Sequence, residues 1–187
     1  MKTPILQTQR LVLRPIELAD APRIQILFDD WEVVKWLAAA IPWPYPADGA
    51  ETFLQHTLSE IDNGDRYVWA ITELDEPTSK LIGIIDLFPQ NPDDNRGFWL
   101  GSEFHRQGYM TEAVVAVNDF AFDVLGLEYL LLNNAEPNLG SHRLKEKSGA
   151  EVVEVRDDVP FIGGRFRNIR WKLTRETWHR NRHNFLK

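Results

Sequence analysis

The feature that most limits what this chain can become is a change of hydrophobic period at one glycine, Gly108. Before it, Phe98-Trp99-Leu100 are bulky, strand-forming residues. After it, apolar side chains fall at Met110, Ala113, Val114, Val117, Ala121 and Val124, the spacing of one helix face. Thr111, Glu112, Asn118 and Asp119 interrupt that pattern, and Gly126 stands where a C-cap glycine is expected. Trp99 to Val124 therefore reads as a strand end, a turn and a long amphipathic helix. Glycine at the joint admits positive φ or a close backbone approach. Unpaired N–H groups and the positive dipole end make residues 105–110 a candidate anion site, with His105 and Arg106 adding positive charge. The guest would be a phosphate or pyrophosphate. An ordinary strand–turn–helix joint explains the same residues equally well, since one glycine is a weak motif.

The rest of the chain frames this unit. Leu11 and Leu13 alternate against Val12 and Arg14 in a first strand ended by Pro15. Asp20 is placed to cap a helix reaching about Phe28, and Asp30 a short helix through Trp36-Leu37. Three prolines and two large aromatics, Trp43 and Tyr45, make Ile41 to Asp48 a stiff loop. It is either a pocket wall or a brace on the core. A helix follows from Asp48 to Ile61. Tyr67–Thr72, Lys80–Phe88 and Gly97–Leu100 read as an antiparallel meander. Leu130 to Leu132 is a buried strand, and a strand–helix–strand unit implies a parallel pair with a right-handed crossover. Ser141–Ser148 is a short helix stopped by Gly149, and Val152–Arg156 with Arg165–Leu173 forms a last hairpin. Residues 174–187 form a polar, solvated tail helix, in which His179 and His183 lack an evident third metal ligand. The fold class is α/β (α+β), a mixed sheet with helices on it.

A chain of 187 residues suits one domain. Its net charge of -7 argues against a general nucleic-acid binder, which needs a basic face. With no cysteine there is no disulfide, thiolate metal site or cysteine nucleophile. No run has the length of a signal peptide's apolar core or approaches ~18 apolar residues. The expectation is a cytoplasmic protein with no membrane span and no metal.

Three stretches carry a family resemblance. HRQGYMTEA is similar to the acetyl-CoA pyrophosphate loop of the GNAT (Gcn5-related N-acetyltransferase) superfamily, Gln/Arg-x-x-Gly-x-Gly/Ala, with Met110 at a usually small position and Thr111 ending the loop. NLGSHRLKEKSGA resembles that superfamily's Asn-x-x-Ser helix, and TQRLVLRPIELADAPRI resembles the start of its RimJ/RimL-like ribosomal-protein N-acetyltransferase branch. The resemblance implies a mostly antiparallel mixed sheet flanked by helices, splayed between the fourth and fifth strands. It makes residues 1–187 a single acetyltransferase domain using acetyl-CoA as co-substrate and an amine as acceptor, for which a ribosomal or other protein N-terminus is a candidate. A small-molecule amine (an antibiotic or polyamine) and a non-catalytic acetyl-CoA-binding protein are the alternatives. No membrane or direct nucleic-acid contact is expected, and a homodimer stays open.

The resemblance also implies site residues. Cofactor contacts fall on the backbone of Trp99 and Leu100, on His105, Arg106, Gln107, Gly108, Tyr109, Met110 and Thr111, and on Asn138, Ser141 and Arg143. Arg143 belongs to a basic cluster with His142, Lys145 and Lys147. Ser141 would serve the leaving thiolate, in place of a later tyrosine whose position here is Lys145; a plain helix cap is the competing reading. The glutamate that relatives use as a base falls at Asn95, which cannot take a proton. Asp86 is the substitute, sharing a face with Ile82 and Ile84, where apolar company raises a carboxylate pKa. Glu103 and His105 are further candidates. Trp43, Tyr45 and Glu103 would border the acceptor.

Overall fold

A computed structural model describes residues 2–74 and 80–185; the polar loop before Lys80 and the last two residues of the tail lie outside them. Five antiparallel strands form one sheet in sequential order: β1 (Leu6–Gln7), β2 (Leu11–Pro15), β3 (Tyr67–Glu73), β4 (Gly83–Leu87) and β5 (Phe98–Leu100). The second sheet has the order β6 (Tyr129–Ala135), β8 (Gly164–Thr174), β7 (Glu151–Phe161). The period of two in the first sheet sorts side chains onto two covered faces. Leu11, Leu13, Trp69, Ile71, Ile85 and Leu87 meet helix α4 (Tyr109–Asp119), through Ala113, Val114 and Val117. On the other face, Val68, Ala70 and Ile84 meet α1 (Ala21–Phe28), α2 (Trp31–Val34) and α3 (Gly49–Asn63). Every residue of β4 is buried because both its faces are covered. Among the described residues no helix is long and apolar enough to cross a membrane.

Several local expectations shift. Asp20 makes no side-chain cap to α1; Arg14 donates to both its oxygens at 2.6 and 2.9 Å, and the carboxylate also accepts from Glu17 N–H. The helix after Gly108 ends in a π-helical turn, Phe120–Val124. A π turn adds a residue to the helical repeat, so Phe120, Ala121 and Phe122 are buried while Val124 faces out.

The strands flanking α4 do not form the continuous parallel pair expected from their order. They are tied through the segment before β5, at Asn95 and Asp93, and no ladder joins β5 to β6; this break between the two sheets is the V. Asn95 N–H donates to the Leu131 carbonyl at 2.7 Å, and Leu131 N–H returns a bond to Asn95 Oδ1 at 2.6 Å. Asn95 Nδ2 donates to the carbonyls of Phe88 and Asn91. The amide side chain of Asn95 therefore joins the two sheets.

The tail is not a merely solvated helix. In α6 (Arg175–Asn181), Trp178 is fully buried and its indole N–H donates to Asp119 Oδ1 at 2.9 Å. Arg182 donates to the same carboxylate, and His179 Nε2 meets Asp123 Oδ1 at 2.8 Å.

Candidate active site

The end of β5 and the start of α4 form the first half of the site. Asp86 N–H donates to Gly97 O and Gly101 N–H to Ile82 O, so alternation makes Ile84 and Trp99 a bonded pair. The Leu100 N–H therefore points away from β4, toward the V. Its carbonyl accepts from His105 Nε2 at 2.9 Å. The chain then takes positive φ twice, at Arg106 (62°) and Gly108 (82°), and enters α4. The first intrahelical bond runs from Glu112 N–H to Gly108 O, leaving the N–H groups of Tyr109, Met110 and Thr111 without helical partners. Met110 anchors the turn by burying its side chain in the core.

The N-terminal segment braces this turn. Arg10 Nε donates to Glu112 Oε2 at 2.8 Å, Arg10 N–H to Oε1 at 2.7 Å, and Arg10 Nη1 to the Gln107 carbonyl at 3.0 Å. The Thr8 hydroxyl also donates to Glu112. The Arg10 guanidinium lies 4.6 Å from the Tyr109 ring centroid, and Tyr109 donates to Glu73. Burial raises the Glu112 pKa, but the bonds from Thr8 and Arg10 outweigh it and hold the carboxyl below its ordinary value.

The second half is a cavity of about 600 Å³ on the α1–α3 side of the sheet. Phe28, Ile41, Tyr45, Phe53 and Trp99 give it apolar walls, and Asp86 and Arg66 bring charge to it. Arg66 Nη2 donates to Asp86 Oδ2 at 2.5 Å, and its Nη1 reaches Thr57 and Glu60. Gly97 N–H donates to Asp86 Oδ1 at 2.7 Å, and a Cβ on Gly97 would stand 2.6 Å from that oxygen. Asp86 thus has a buried cation beside it rather than only apolar company. Burial pushes the Tyr45 hydroxyl up to about 12, so it stays protonated at neutral pH.

Helix α5 (Leu139–Ser148) closes the far side. Asn138 caps it by accepting from Ser141 N–H at 3.2 Å. Ser141, Lys145 and Ser148 form its buried stripe. Lys145 Nζ donates to Ser141 Oγ at 2.6 Å and lies 5.9 Å from the Phe98 ring centroid, which puts α5 against β5.

Residues 10–151 match the acetyltransferase (GNAT) domain family. The chain belongs to that family. It is accordingly an acyltransferase, and the family's co-substrate is acetyl-CoA. Among curated proteins it is similar to the uncharacterized N-acetyltransferase YoaA of Bacillus subtilis (strain 168), with 29% identity over 161 residues, covering 81% of this chain and 85% of the relative. Among solved structures it is similar to Mycobacterium smegmatis RimJ in complex with CoA-disulfide (TM-score 0.80, 16% identity, 96% of this chain and 95% of that one). It is also similar to a Vibrio cholerae protein provisionally described as a ribosomal-protein-serine acetyltransferase (TM-score 0.73, 24% identity, 93% and 99%).

In this GNAT chain the expected residues divide into groups. Gly108, Tyr109, Met110 and Thr111 line up as backbone at the start of α4, and Asn138 and Ser141 do so at the start of α5. His105 and Gln107 are exposed, with their side chains hydrogen-bonded to Leu100 O and Glu103 O. Arg106 and Arg143 are exposed. The basic cluster on α5 comes apart, because Lys145 points into the protein and Lys147 covers the Phe185 ring. Tyr45 lines the cavity; Trp43 is not among its lining residues and packs on Trp31 instead, with ring centroids 5.9 Å apart. Glu103 pairs with Arg23 at 3.3 Å and is also not among the lining residues. Arg66 escaped the sequence reading, and Gly97 entered it only as the start of a strand. The available signal for Arg66 was strand register: it extends the Val68–Ala70 face, and Val68 lies opposite Asp86.

Proposed function

We propose that this GNAT enzyme moves the acetyl group of acetyl-CoA to a protein N-terminal α-amine by direct attack in a ternary complex, with the whole chain acting as one domain. When bound, acetyl-CoA supplies an acetyl group activated as a thioester. The first-turn N–H groups of α4 would hold its phosphates, and the Leu100 N–H would polarise the carbonyl. These donors fit the group because the fold leaves them unengaged. The acceptor would enter past Tyr45 and present its nitrogen near Asp86.

The observation that carries this reading is the Asp86–Arg66 pair. Both Asp86 oxygens already accept, Oδ2 from Arg66 and Oδ1 from Gly97 N–H, and that arrangement suits an amine that sheds its proton without a dedicated acceptor. With reference pKa values near ~7.8 and ~10.4, an α-amine costs about 1.1 kcal/mol to deprotonate at pH 7 and a lysine side chain about 4.6 kcal/mol. Glu32 and Glu103, two acids that could draw a basic acceptor, are paired with Lys35 at 2.6 Å and with Arg23. The apolar walls of the cavity favour an acceptor with an apolar body. A ribosomal protein N-terminus is supported by the description of the Vibrio relative. A small apolar amine suits the same cavity and is the second reading.

The test is a panel of N-terminal peptides, an Nα-blocked lysine peptide, a polyamine and an aminoglycoside, each incubated with acetyl-CoA and mapped by mass spectrometry. Acetylation of α-amines, fastest for apolar first residues, is expected. Modification confined to lysine side chains or to the polyamine would overturn the proposal.

A further inference from the structure

The stripe beneath the start of α5 holds charges that the reaction described so far does not use. Lys145 is 2% exposed, and its Nζ donates to Ser141 Oγ at 2.6 Å. With Nζ as donor, the Ser141 hydroxyl proton is free to point elsewhere. Beside them, in the segment leading to β5, lie Arg96, 5% exposed, and Asp94, whose Oδ1 is sealed from solvent without a partner. Arg96 donates to the Asn118 side chain of α4. Among the described residues, β8 presents Trp171 to His142, while α6 and the turn after it present Asn181 to Gly149 and Phe185 to Lys147.

We infer that Lys145 feeds a proton through the Ser141 hydroxyl to the departing sulfur of CoA, so that the two residues of α5 act as one acid. This rests on the acetyl-transfer reading above. As the acceptor nitrogen bonds to the acetyl carbon, the carbon–sulfur bond breaks and leaves its electron pair on sulfur. Ser141 gives that sulfur its Oγ proton, and Lys145 replaces it from Nζ. The proton shed by the acceptor nitrogen leaves to water, and Lys145 regains one from solvent after release. Lys145 touches no substrate; it is a positioning residue that acts through Ser141. Burial, reinforced by the Arg96 charge and opposed by Asp94, lowers the pKa of its ammonium. A proton donor works best when its pKa lies near the working pH. The acid form is the working form, so kcat falls as pH rises through this titration.

Two measurements test the inference. The first needs no acceptor: the thiol of CoA bound to the protein is titrated by thiolate absorbance. Ser141→Ala, which removes the hydroxyl facing the sulfur, should raise its midpoint by about 1 pH unit, because a hydrogen bond to the thiolate is lost. The second is the pH profile of kcat. Lys145→Met and Ser141→Ala should each lose about 100-fold and the alkaline limb, with melting temperature and CoA affinity retained. The double variant should be no slower than either single one. An unmoved thiol midpoint, an alkaline limb that survives Lys145→Met, or losses that multiply would each overturn the inference. Should Lys145→Met fail to fold, survival of the alkaline limb in Ser141→Ala does the same. If the wild-type protein acetylates no amine, the proposed function fails while the thiol titration still decides this point.

Discussion

Two helices begin at the V between the sheets, and they begin in opposite ways. Helix α4 starts from a left-handed glycine with no side-chain cap, and its first N–H groups are left open. Helix α5 starts from Asn138, whose side chain takes the Ser141 N–H, and the Ser141 hydroxyl is taken in turn by Lys145. An uncapped helix start offers donors and dipole to an anion, whereas a capped one satisfies its donors internally. The first is built to hold a charged ligand. The second is built to hold one hydroxyl still. On the proposed reading, binding and chemistry fall to different helices and should separate under mutation.

The largest break in that contrast should come from Gly108→Val. Valine at φ 82° is strained, and its Cβ would meet Arg10 Nη2 at 3.3 Å. At about 100 times the dissociation constant, acetyl-CoA should stabilise the wild-type protein by ~2.7 kcal/mol, or roughly 5–10 °C in melting temperature for a domain this size. The variant should lose that rise altogether. A normal rise would show that the open helix start is not the phosphate site.

Asn138→Ala tests the capped end. Loss of an N-cap costs about 1 kcal/mol, or roughly 2–4 °C in melting temperature. The acetyl-CoA-induced rise should persist because α4 is untouched, while kcat falls as Ser141 loses its fixed place. Equal loss of binding in this variant and in Gly108→Val would erase the distinction between the helices.

The same contrast explains what could be read from the chain. The start of α4 was legible because its parts are contiguous: strand, glycine and helix face lie within Trp99–Val124. Asn138 and Ser141 were legible because a cap is a three-residue relation. The cavity beside Asp86 was not, because the Arg66–Asp86 pair spans 20 residues and Arg66 sits at no motif. Lys145 was placed on a basic surface because its neighbours in sequence are basic. Spacing along the helix sets it with Ser141 and Ser148 instead, on the buried side. Asn95 was read only as an amide at the place of a base. Its role between the sheets depends on Leu131, which only the folded chain brings near.

Arg10→Ala should weaken the open end without abolishing it. The Arg10–Glu112 pair is partly exposed, so its loss should cost under about 1 kcal/mol. Acetyl-CoA affinity should drop by about threefold, equivalent to roughly 0.7 kcal/mol. A loss as large as that of Gly108→Val would mean the brace, not the backbone, makes the site.

The smallest effect is a pH dependence. Glu112 is held below its ordinary carboxyl pKa of 4.5, because bonds from Thr8 and Arg10 outweigh the opposing effect of burial. A carboxyl depressed by folding contributes stability that is fully present above the unfolded pKa and is lost as pH falls through the folded one. The brace should therefore weaken only below about pH 4.5. Melting temperatures of the wild-type protein and Arg10→Ala, followed from pH 6 to pH 3, should converge toward the acid end, because protonation removes from one what mutation removed from the other. Helix α5 has no such carboxylate at its cap, so Asn138→Ala should run parallel to the wild type over the same range. Parallel curves for Arg10→Ala would show that Glu112 does not hold the start of α4 through its charge.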